Sequence, residues 1–167
     1  MKQSIRILHV EDVPSDAELV ERELRQGNIN FEKLVVNNRA DFEKALDDFF
    51  PDIVLCDHSL PSFDSFQALK SVRAKELSVP FILITSTMTD EFAATIMKEG
   101  AQDYILKDRL QRLPSAILNA LEKYHLETEK QKYIQQITSN EKRFRALIER
   151  SMDMTTISTE EGKILYC

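Results

Sequence analysis

Glu11 and Asp12 follow the apolar run IRILHV, Asp57 follows IVLC, Thr85 and Ser86 follow FILI, and Lys107 follows YIL. In an open parallel sheet, ligands sit outside the carboxyl ends of the strands. If these runs are strands of one such sheet, three carboxylates, a hydroxyl and a lysine meet on one rim. Close carboxylates repel and raise the pKa of at least one of them unless a cation neutralises the group. Mg²⁺ suits such a set, because it takes one or two carboxylates, waters and a phosphoryl oxygen, whereas Ca²⁺ asks for more oxygens than are present. With the ion shielding it, Asp57 can attack a phosphorus centre in line. The product, an acyl phosphate, would meet the ion, the Lys107 ammonium and the Thr85 hydroxyl on separate oxygens.

The elements that must position these groups are legible as alternating patterns. Short runs rich in Ile, Val and Leu occur at 5–10, 31–36, 53–56, 81–84 and 104–106. They are continuous rather than alternating, as expected of parallel strands buried on both faces. Four helix candidates lie between them. Ala17, Val20 and Leu24 mark the apolar side of the first, which Ser15 with Glu18 opens as a capping box. Asn38 with Asp41, Asp64 with Gln67, and Thr89 with Asp90 open the others, the last closing at Gly100. Gly27 and Gly100 are expected as left-handed caps. The alternation predicts a doubly wound α/β fold with a five-stranded parallel sheet, order 2-1-3-4-5, flavodoxin-like. In that order the first and third strands are neighbours at the switch point, which puts Glu11, Asp12 and Asp57 side by side.

The pattern changes after Lys107. Residues 1–108 carry 12 basic and 20 acidic side chains, and residues 109–167 carry 10 and 8. From Leu110 to about Arg150 the chain reads as one helix of roughly 40 residues, about 60 Å long, with Leu113, Ile117, Leu121 and Tyr124 facing the sheet. Tyr133, Ile137, Asn140, Phe144 and Leu147 recur at steps of four and three, the seam of a coiled coil with one polar position. The segment 151–167 reads as strand, turn at Glu160–Gly162, and strand. Two strands make no stable unit alone, so the expectation is a chain cut inside a following domain. The expected division is 1–125, a linker helix at 126–150, and the start of a further domain at 151–167.

ILHVED, DIVLCDHSLP, PFILITS and EGAQDYILK, in this order and spacing, make residues 4–125 resemble the receiver domain of two-component response regulators. The resemblance implies Mg²⁺ held by Glu11, Asp12, Asp57 and the backbone carbonyl of Ser59. It implies that Asp57 accepts phosphate from a phosphohistidine of a cognate histidine kinase or phosphotransfer protein, with Thr85 and Lys107 as the signalling hydroxyl and lysine and Tyr104 as a switch aromatic. Asp108 stands where the family usually has proline in a cis peptide, so a trans bond is expected here. Ser62 and Ser65 replace the glycines usual after the acceptor loop. FRALIERSMDMTTISTEEGKILYC resembles the opening of a PAS sensory domain, which implies a multidomain parent such as a hybrid kinase.

The net charge of -6 excludes a generally basic nucleic-acid coat. No apolar stretch of 18 residues spans a bilayer, the amino terminus lacks a secretory pattern, and Cys56 and Cys167 form no zinc spacing. A cytoplasmic signalling switch is expected, itself not an enzyme, with a homodimer through the linker helix. His9 and His58 read as structural. The rivals are an unphosphorylated pseudo-receiver that serves as an interaction module and a Mg²⁺-dependent phosphohydrolase. The latter usually wants a second acid two residues after its nucleophile, where this chain has Ser59.

Overall fold

The computed structural model describes residues 4–58, 60, 63–75, 78–150, 157–158 and 164–166. Ser59, the turn at 160–162 and Cys167 lie outside the described residues. Two compact units divide at His125 and Leu126.

The first unit is a five-stranded parallel sheet of order β2-β1-β3-β4-β5. Its strands are β1 (Ile5–Val10), β2 (Phe31–Val36), β3 (Ile53–Asp57), β4 (Phe81–Thr85) and β5 (Asp103–Leu106). They alternate with α1 (Pro14–Gln26), α2 (Arg39–Asp48), α3 (Ser65–Ala74) and α4 (Asp90–Lys98). The doubly wound class and strand order are those expected from the sequence.

Successive strand residues point to opposite faces, and the apolar runs therefore fill two cores. Leu8, Val10, Val54, Cys56, Phe81 and Leu83 pack with Phe42, Leu46, Leu69, Val72 and Ile96 of α2, α3 and α4. Ile7, Ile53, Leu55, Ile82, Ile84 and Ile105 pack with Val20 and Leu24 of α1 and with Leu113, Ile117 and Leu121 of α5 (Leu113–Arg150). Tyr124 is half-buried.

Local signals held at three helix starts. The side chains of Asn38, Asp64 and Thr89 accept hydrogen bonds from the backbone N–H of Asp41, Gln67 and Phe92. The Ser15–Glu18 box did not form. Val13 is the cap residue and makes no side-chain bond, because Pro14, which needs no N–H partner in a first turn, starts α1 one residue before Ser15. Gly100 adopts φ +107° as expected, but Gly27 has φ -75°, and Asn28 takes the left-handed turn at φ 55°. Gly27 answers a different need: an added Cβ would lie 2.5 Å from Pro114 Cβ.

The long helix also starts later than expected. Lys107–Arg112 forms 3-10 turns, interrupted by Arg109 at φ -129° and ψ 33°, and α5 begins at Leu113. Among the described residues every peptide bond is trans, including that between Lys107 and Asp108.

In the second unit, Tyr133, Ile137, Asn140, Phe144 and Leu147 on α5 are all exposed. Strands β6 (Ile157–Ser158) and β7 (Ile164–Tyr166) pair antiparallel. No helix among the described residues is long and apolar enough to cross a membrane.

Candidate functional site

The acidic groups meet where β1 and β3 run side by side. Val10 pairs with Cys56, so the next residues of the two strands, Glu11 and Asp57, emerge together at the rim. Carboxylate oxygens of Glu11, Asp12 and Asp57 lie within 4.8 Å of one another. Glu11 is buried and its Oε1 accepts from the Val13 N–H at 3.0 Å, which fixes the loop into α1. Burial raises the Glu11 pKa, and the Asp57 charge adds to the rise against the opposing bonds from Val13 and Lys107. Three hard oxygen donors this close, one of them desolvated, fit a small divalent cation such as Mg²⁺.

Lys107 reaches the same rim from the end of β5. Its Nζ donates to Asp57 Oδ2 at 2.6 Å, to Glu11 Oε2 at 3.0 Å and to Asp16 Oδ2 at 2.5 Å. An ammonium has three N–H donors, and each carboxylate takes one. Burial alone would lower the Lys107 pKa, but the bonds from Asp16, Asp57 and Glu11 outweigh it and hold the lysine above its ordinary range.

Thr85 is buried at the end of β4, and its hydroxyl donates to the Thr87 carbonyl at 2.9 Å. Tyr104 is half-buried against the core beneath α4. The structure thus brings together Glu11, Asp12, Asp57 and Lys107 and sets Thr85 on the adjoining strand end. Ser59, expected to offer its carbonyl, is outside the described residues.

Asp16 was missed by sequence reasoning because it belongs to the first turn of α1 rather than to a strand end. The available signal was its place four residues after Asp12, with Pro14 between them fixing a helix start. Two histidines flank the site. His9 is fully buried below Glu11 on the same face of β1, with neither ring nitrogen hydrogen-bonded. Burial first, then the charges of Lys33 and Lys107, push its pKa down to about 3. His58 Nδ1 lies 2.9 Å from Ser65 Oγ, and its ring packs 4.3 Å from that of Phe92 on α4.

The response regulator receiver domain model matches residues 7–118. The chain belongs to that family. The chain is 30% identical over 135 residues to the regulatory protein AtoC of Escherichia coli, covering 80% of this chain and 29% of that protein. The chain therefore spans less than a third of that relative's length. Among solved structures, a signal receiver domain from Vibrio parahaemolyticus has a TM-score of 0.69 at 21% identity, covering 75% of this chain and 96% of that one. The receiver domain of a sensor histidine kinase from Pseudomonas aeruginosa has a TM-score of 0.62 at 24% identity, covering 72% and 99%. That domain holds a magnesium ion in its active-site cleft.

Proposed function

We propose that this receiver domain accepts a phosphoryl group on Asp57 and that Glu11, Asp12 and Asp57 hold the Mg²⁺ that the transfer requires. The observation that carries the reading is the convergence of these three carboxylates within 4.8 Å, with Lys107 bonded to Asp57 at 2.6 Å. A bound Mg²⁺ supplies charge neutralisation for the carboxylates and the incoming phosphoryl oxygens. On the family resemblance, the Ser59 carbonyl joins that set.

The chain's own groups account for the rest. Asp57 Oδ attacks phosphorus in line; the P–N bond of a donor phosphohistidine breaks, and its electron pair returns to the imidazole. Lys107, already on Asp57, turns one donor to a phosphoryl oxygen. Thr85 exchanges its bond to Thr87 for another phosphoryl oxygen, and Tyr104 moves into the space left beside it. The added charge is roughly -1.5 to -2 at neutral pH, and the face of α4, β5 and α5 carries the signal.

The donor is a histidine kinase or histidine phosphotransfer protein. The exposed seam on α5 pairs two copies through the linker, and 151–167 opens a PAS domain in a multidomain sensor or hybrid kinase. The acceptor reading is tested by incubating the chain with Mg²⁺ and acetyl phosphate and mapping the modified residue by mass spectrometry. Label is expected on Asp57, absent without Mg²⁺ and absent in Asp57→Asn. Label on another residue, or label retained in the variant, overturns the assignment, and no label on the wild-type chain favours the pseudo-receiver reading.

A further inference from the structure

Lys107 is the only cation among the described residues bonded to this cluster, and all three of its donors are committed. Two of the acceptors have work of their own in the proposed chemistry: Asp57 receives the phosphoryl group and Glu11 holds the metal. The third, Asp16, has no such role, yet its contact of 2.5 Å is the shortest of the three. We infer that Asp16 is a positioning residue that ties down Lys107 in the unphosphorylated protein and thereby sets how fast the site takes a phosphoryl group. This rests on the acceptor reading above.

The tether is built into the start of α1. Val13 caps the helix and Pro14 fixes its first turn, so Asp16 falls on the third helical position, with its N–H on the Val13 carbonyl at 3.1 Å. An acid in a first turn is also favoured by the helix dipole. The Lys107 side chain is 17% exposed and that of Asp16 29%, against 0% for Glu11 and 7% for Asp57. Asp16 is therefore the acceptor that water can replace most readily when the lysine leaves. Its carboxylate competes with an incoming phosphoryl oxygen for the same N–H while adding a further negative charge to the rim.

The test compares initial rates of Asp57 labelling by acetyl phosphate with Mg²⁺ in the full chain, read by mass spectrometry. In this step the acyl P–O bond breaks, the Asp57 Oδ–P bond forms, and acetate leaves with the electron pair. Asp16→Asn is expected to raise the rate roughly three- to tenfold, the size of one net hydrogen bond in a partly solvated site. Asp16→Glu is expected to restore the slower rate. In a Lys107→Met background, Asp16→Asn is expected to change nothing, since its effect passes through the lysine. An unchanged or slower rate in Asp16→Asn overturns the inference, as does an acceleration that persists without Lys107, which would mean through-space charge alone. Circular dichroism melts establish that each variant is folded, and Asp16→Ser replaces Asp16→Asn if the latter is not. If the wild-type chain takes no label on Asp57, the acceptor reading itself fails, a result distinct from labelling that ignores Asp16.

Discussion

The four acids at the rim come from strand ends and from the start of α1, and the lysine serves only three of them. Glu11 and Asp57 are the next residues out on adjoining strands, Asp16 comes from the first turn of α1, and Asp12 stands between. Because the donors of Lys107 go to Glu11, Asp16 and Asp57, the Asp12 charge is left to a cation from solution. Asp12→Asn should therefore stabilise the protein in the absence of divalent ions by about 1 kcal/mol, a rise in Tm of roughly 4 °C. The same variant should lose most of the thermal stabilisation that Mg²⁺ gives the wild type, as measured by calorimetry with and without the ion. Equal Mg²⁺-induced shifts in both proteins would remove Asp12 from the ligand set. The strand-end acids and the lysine were legible in the sequence because each closes an apolar run. Asp16 closes no apolar run and had only the weaker signal of its place after Pro14, and the Thr85–Thr87 bond had none, since it depends on rotamer rather than on position along the chain.

Among the elements, the contact of Gly27 with Pro114 ties the end of α1 to the start of α5. A Cβ at residue 27 would stand 2.5 Å from Pro114 Cβ and 2.6 Å from Cγ, both on a rigid ring. The backbone of Gly27 is ordinary, so Gly27→Ala tests crowding alone. Overpacking of this kind costs typically 1–3 kcal/mol, to be read as a lower urea midpoint with an unchanged slope; no loss of stability would mean that α5 shifts aside freely. The sequence marked this glycine but suggested the wrong reason, because the approach of α5 is a tertiary fact. Strand existence and order were readable from the runs themselves, and three of four caps from short polar side chains. The fourth failed at Pro14, where a proline start displaced a plausible capping box. The 3-10 turns at Lys107–Arg112 were hidden in a stretch whose composition suits a helix of either kind.

For the molecule as a whole, the second unit exposes an apolar seam that a single copy leaves in water. Tyr133, Ile137, Phe144 and Leu147 recur with Asn140 between them, and a polar seam position fixes register at some cost in stability. Sedimentation of the chain at micromolar concentration should show a dimer, and Ile137→Lys should shift it to monomer by at least tenfold in Kd while leaving Asp57 labelling intact. A wild-type monomer throughout that range would refute pairing through this helix. The two cores of the first unit have another consequence. Asp57 projects toward α1 and Lys107, whereas its immediate neighbours Cys56 and His58 project the other way, Cys56 into the core beneath α2, α3 and α4 and His58 onto Phe92. Three consecutive peptide units thus belong to two layers at once, like the fulcrum of a seesaw. A tilt of the backbone at the middle one would therefore press on both layers, the His58–Phe92 contact being the shorter way to α4.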